Sequence, residues 1–78
     1  MKLEVRVFAN LRDQFPKESK GVLTVDLPVD STVAELIEKL DITRDLPLII
    51  MVNGRRQFEE TTLKDGDRVG IFPPVGGG

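Results

Sequence analysis

The 78-residue chain contains no cysteine, histidine, tryptophan or tyrosine. Without cysteine there is no disulfide, and no thiolate to act as nucleophile or metal ligand. Without histidine it lacks the side chain that most often serves as general base and metal ligand near neutral pH. Ser-His-Asp and Cys-His catalysis and Cys/His zinc sites are thereby excluded. Any reaction involving the chain must use a partner's residues or its own terminus. No segment approaches the roughly 20 apolar residues of a membrane-spanning helix. Met1-Lys2-Leu3-Glu4 alternates in polarity and does not resemble a signal peptide. A cytoplasmic protein without a membrane partner is the expectation.

Charge of one sign is also missing. Lysine and arginine number 11 against 13 acidic residues, for a net charge of −2. A nucleic-acid binder would show a clustered basic face with aromatic stacking platforms. Here the four phenylalanines are scattered, so no nucleic-acid partner is expected. The length is that of one small domain, which buries a smaller share of its unfolded surface than a larger protein does.

What is present reads as strands around one helix. Residues 2–8 alternate, with Leu3, Val5 and Val7 on one side and Lys2, Glu4 and Arg6 on the other. Residues 9–15 predict a short helical turn ended by Pro16, and residues 17–21 a polar turn. Residues 22–27 alternate again with Leu23, Val25 and Leu27 inward, so the first two strands form a hairpin with a long loop. Thr32-Val33-Ala34-Glu35 has the form of a capping box. Val33, Leu36, Ile37 and Leu40 follow at helical spacing and predict the one main helix. A loop over residues 41–47 leads to the apolar run Leu48–Val52, expected as a central strand buried on both faces.

Asn53-Gly54 is a strong hairpin signal, because a type I′ turn needs positive φ at both central residues. The return strand is expected over residues 55–58, a single helical turn at Thr61-Thr62-Leu63, and a tight turn at Lys64-Asp65-Gly66-Asp67. A last strand over residues 68–72 has Val69 and Ile71 inward. Glu59, Glu60, Asp65 and Asp67 lack a full calcium-loop spacing and read as turn formers, so no metal site is expected. Arg55-Arg56 reads as a solvated turn more than as a steering patch. With the first and last strands parallel, the order is that of an α+β β-grasp domain: a mixed five-stranded sheet with one main helix, over residues 1–72.

Residues 73–78, Pro-Pro-Val-Gly-Gly-Gly, follow directly. Glycines bury no side chain and are entropically the costliest residues to order. Three glycines alone would describe a frayed end, but after Pro-Pro-Val and a strand they point to the terminal carboxylate as the working group. Such a thread passes a narrow channel and adopts whatever backbone angles an active site demands. Pro73 and Pro74 bias its stem toward an extended conformation, and from there it reaches roughly 20 Å at about 3.3 Å per residue. Phe8 and Phe72 fall out of phase with the inward residues of their strands. If those strands are neighbours, the rings lie on one outward face near the tail's origin, as a docking patch or as cover for a second small core. Phe58 and Leu63 are weaker candidates for either cluster.

Three stretches resemble one family, and with Val52-Asn53-Gly54 the similarity covers the whole chain in order. Val5-Arg6-Val7-Phe8-Ala9-Asn10-Leu11-Arg12-Asp13 is similar to the first strand and turn of the small subunit of molybdopterin synthase. Leu63-Lys64-Asp65-Gly66-Asp67-Arg68-Val69 is similar to that family's Leu-x-Asp-Gly-Asp-x-Val turn. The ending from Ile71 to Gly78 resembles its Phe-Pro-Pro-Val-(small)-Gly-Gly, with Gly76 in a place the family usually fills with Ala, Ser or Thr. The family, which includes the thiamine sulfur carrier, is ubiquitin-like. The resemblance implies that an ATP-dependent adenylating enzyme activates the Gly78 carboxylate as an acyl-adenylate, and that a sulfur donor protein then supplies sulfur to make the thiocarboxylate, a covalent 1-thioglycine. The thiocarboxylate serves the large catalytic subunit of molybdopterin synthase, toward a molybdenum or tungsten cofactor. No cofactor is held permanently. Phe8, Phe72, Pro73, Pro74, Val75, Gly76 and Gly77 would meet the partners. A thiamine-type carrier, whose tail usually lacks the Pro-Pro pair, and a protein modifier joined through Gly78 are the alternatives.

Overall fold

The alternation of residues 2–7 folds as strand β1, Lys2–Val7, with Leu3, Val5 and Val7 almost wholly buried. The computed structural model describes residues 1–42 and 47–73. Most of the expected loop over residues 41–47, and the tail from Pro74 onward, lie outside the described residues. A 3₁₀ helix over Ala9–Gln14 follows β1 and anchors itself through buried Leu11. A second turn at Lys17–Ser19 leads into β2, Val22–Asp26, which pairs antiparallel with β1. The hairpin and its long loop are as the pattern predicts.

Helix α1, Val33–Lys39, begins with both halves of the capping box in place. The Glu35 amide donates to Thr32 Oγ1 at 3.3 Å, and the Thr32 amide donates to Glu35 Oε1 at 3.2 Å. Each bond satisfies an amide that the first helical turn leaves unpaired. Val33, Leu36 and Ile37 face the sheet and are buried; Leu40 packs against the core from a half-buried position. Each large apolar side chain fully buried in this way stabilises the fold by about 1.5–3 kcal/mol.

Strands β3, Ile49–Val52, and β4, Arg55–Gln57, form the second hairpin. Its turn has Asn53 at φ 51° and Gly54 at φ 83°, as the Asn-Gly signal requires. The final strand β5, Arg68–Phe72, runs parallel to β1 and antiparallel to β3. The five strands lie in the order β2-β1-β5-β3-β4. This is the α+β β-grasp arrangement.

Two local expectations are corrected. Strand β3 is not buried on both faces: Ile50 and Val52 are buried, whereas Ile49 and Met51 are half-buried on the other side. One helix covers one face of the sheet, and the middle position belongs to β5. Instead of a helical turn at residues 61–63, the chain turns at Glu59-Glu60, and Thr62 then pairs with Thr32 in an isolated antiparallel bridge. The bridge ties the segment to the start of α1, where the Val33 amide also donates to the Thr61 carbonyl at 3.0 Å.

Candidate functional site

Because β1 and β5 are parallel, they end at the same edge of the sheet, with Val7 opposite Ile71. The register puts the next residues, Phe8 and Phe72, side by side on the face that α1 leaves open. Their ring centroids lie 4.2 Å apart with planes 4° from parallel. The Phe8 amide donates to the Ile71 carbonyl at 3.2 Å, which carries the pairing one residue beyond β1. Ala9 then turns the chain away with φ 52°, a conformation that costs a non-glycine residue about 1–2 kcal/mol. The turn keeps Phe8 at the edge while Leu11 enters the core.

Phe8 remains 36% exposed, and Phe72 and Pro73 are half-buried. The two rings therefore form a stacked pair on the open face, next to the place where the tail leaves β5. Of the weaker candidates, neither joins them. Leu63 is 1% exposed and belongs to the main core. Phe58 is exposed, with the Arg56 guanidinium 5.5 Å from its ring centroid, a cation–π contact at the edge strand β4, away from the stack. Pro74, Val75, Gly76, Gly77 and Gly78 lie outside the described residues.

Sequence reasoning passed over Gly70. It occupies the row of β5 between the buried Val69 and Ile71, on the same face as Phe72. A Cβ placed there would lie 3.2 Å from the Phe72 ring and 3.5 Å from the Phe8 ring. The stack lies partly over this bare stretch of backbone. A lone glycine inside a strand often marks a close approach of this kind, and that signal is present in Arg68-Val69-Gly70-Ile71-Phe72.

The acidic residues behave as turn formers. Asp65 Oδ1 accepts from the Lys2 amide at 2.7 Å, and Asp67 Oδ2 accepts from the Lys64 amide at 2.8 Å. Among the described residues no group of acidic side chains is arranged to hold a metal ion, and no helix is long and apolar enough to cross a membrane.

Residues 5–78 match the ThiS family. The chain belongs to that family. ThiS-family proteins are ubiquitin-like sulfur carriers, and membership implies chemistry at C-terminal glycines of the kind typical of these carriers. The chain is structurally close to molybdopterin converting factor subunit 1. The Pyrococcus furiosus protein of that description is 31% identical, with a TM-score of 0.77 over 96% of this chain and 99% of the other. A chain of the complex of subunits 1 and 2 of the Helicobacter pylori molybdopterin-converting factor is 26% identical, with a TM-score of 0.64 over the whole of both chains. Small archaeal modifier protein 1 of Methanosarcina acetivorans is 27% identical, with a TM-score of 0.65 over 99% and 96% of the two chains. Among curated proteins no sequence matches.

Proposed function

We propose that this ThiS-family chain is the sulfur-carrying small subunit of a molybdopterin synthase. An ATP-dependent adenylating enzyme joins the Gly78 carboxylate to AMP and releases pyrophosphate. Sulfur from a donor protein displaces the AMP and leaves a thiocarboxylate. The large catalytic subunit then receives the tail and passes its sulfur to the pterin precursor. The glycines and prolines suit this delivery, because the chain has neither histidine nor cysteine and brings the reagent while its partners supply the catalytic groups.

The observation that carries the reading is the likeness to the Pyrococcus converting-factor subunit along nearly the full length of both chains. The Helicobacter complex supports a second subunit as partner. The Phe8–Phe72 stack beside Pro73 supplies an apolar docking point at the base of the tail, where a partner must grip if it is to thread the glycines. Phe8, Phe72 and residues 73–77 are the partner contacts in this reading, and Gly78 is the reacting residue.

Intact-mass measurement tests it. Incubated with ATP, a sulfur donor and its adenylating enzyme, the chain gains the mass of one sulfur in place of one oxygen, and then restores activity to a large molybdopterin synthase subunit. An unchanged mass would refute the proposal. A second reading, protein modification through Gly78, is favoured by the likeness to the Methanosarcina modifier. It shares the activation step but ends in a ladder of heavier adducts that retain this chain. Delivery of the sulfur to a thiazole precursor instead would mark a thiamine-type carrier.

A further inference from the structure

The connection between β1 and β2 is longer than a hairpin requires. Such a turn closes with roughly two to five residues, whereas here residues 8–21 lie between Val7 and Val22. The segment is nonetheless firmly built. Leu11 is buried and Phe15 packs against the core. The Val7 amide donates to the Gly21 carbonyl at 2.8 Å, and the Phe15 amide to the Arg12 carbonyl at 3.2 Å. Ser19 Oγ donates to the Pro16 carbonyl at 2.7 Å and accepts from the Gly21 amide at 3.2 Å. These bonds hold the loop in one shape, and its outer side chains are what it offers to a ligand.

The two 3₁₀ turns share a cleft of about 320 Å³, lined by Arg12, Asp13, Lys17, Lys20 and the buried Gly21. That volume is at the low end of ligand pockets, which run from about 300 to 1,000 Å³. The walls are mostly polar, so the space suits a small polar molecule. Gly21, with φ 79°, seats the arginine: a Cβ there would lie 3.1 Å from Arg12 Nε and 3.2 Å from Arg12 Cγ. None of Arg12, Asp13, Lys17 and Lys20 forms an ion pair among the described residues. Three cations thus line the cleft beside one carboxylate, and no direct partner neutralises any of them.

We infer that this cleft binds free inorganic phosphate. The surplus of positive charge selects an anion. The planar fork of Arg12 matches two oxygens of a tetrahedral oxyanion, and the lysines add point charges. Asp13 then discriminates among anions. Near neutral pH inorganic phosphate keeps a proton on oxygen, which it can donate to the carboxylate. Sulfate has no such proton, and a phosphate monoester has mostly lost its own. Each would set bare oxygens against Asp13. A polar group that needs a donor from its ligand rejects analogues without one. The inference goes beyond the carrier reading and does not depend on it, because Gly78 takes no part.

The test titrates the isotope-labelled full chain with inorganic phosphate, sulfate or methyl phosphate, at constant ionic strength and about pH 7, and follows the amide resonances. Phosphate should shift residues 9–21 on one saturable curve and bind at least about fivefold tighter than either analogue. Arg12→Gln should weaken phosphate about tenfold, and Lys17→Gln or Lys20→Gln about threefold. Asp13→Asn replaces the repelling carboxylate with an amide donor and should bring sulfate within about twofold of phosphate. The pair Lys39→Gln and Lys64→Gln removes charge away from the cleft and should leave phosphate binding within about twofold of wild type. All these positions are exposed, and the same spectra check each fold. Sulfate that matches phosphate in the wild type, or a control pair as damaging as Arg12→Gln, would mean an adventitious ion only and overturn the inference. Tighter binding of methyl phosphate would overturn it too, as would resonances of residues 9–21 that do not move.

Discussion

The Asn53 side chain bridges to the approach of β5: its Nδ2 donates to Asp67 Oδ1 at 2.9 Å, and its Oδ1 accepts from the Arg68 amide at 3.0 Å. The residue that starts the β3–β4 turn with positive φ thus also aligns the turn with the strand that becomes the middle of the sheet. The Asn53 amide adds a third bond, donating to the Arg68 carbonyl at 2.8 Å.

Separate substitutions should resolve these two roles. Asn53→Gly keeps the left-handed conformation and loses the side-chain bridge, with a cost of about 1 kcal/mol. Asn53→Ala loses the bridge and also strains the backbone, which adds about 1 kcal/mol more. Urea unfolding of the three proteins should show two successive decreases in midpoint.

Gly21 and Gly54 both have positive φ, but they should respond differently to alanine. A Cβ at Gly21 would stand 2.8 Å from the Val7 carbonyl oxygen, whereas at Gly54 it would meet nothing within 4 Å. Gly54→Ala should cost about 1 kcal/mol from conformation alone. Gly21→Ala adds a backbone clash and should cost about 2 kcal/mol or more. Thermal unfolding of the two variants checks the order.

The Phe8–Phe72 stack should be visible as a coupling. In a double-mutant cycle of Phe8→Ala and Phe72→Ala, the interaction term in unfolding free energy should be about 1 kcal/mol. Either single variant should also weaken binding to the adenylating enzyme. A stack that stabilises the fold with no effect on binding would make the pair structural only.

Removal of Gly77 and Gly78 should leave the unfolding midpoint unchanged, because glycines bring no side chain to bury. The same truncation should abolish thiocarboxylate formation, read by intact mass. A bulky residue appended to Gly78 should do likewise.

Much of this protein is decided by short stretches of sequence. The alternation of β1 and β5, the Thr32–Glu35 capping box and the Asn53-Gly54 turn depend on residues within a few positions of each other, so the order of residues specifies them. The Pro-Pro-Val-Gly-Gly-Gly composition of the tail is likewise local to the sequence and needs no fold to be read. The pairing of β5 between β1 and β3 joins segments remote in the chain, and only the folded chain decides which strand edges meet. From that pairing follow three features that no local pattern contained: the stacking of Phe8 on Phe72, the bare dip at Gly70, and the half-buried second face of β3. Leu63 entered the core, and Thr62 the bridge to Thr32, for the same reason. Their partners lie on the far side of the sequence, and burial brings them together.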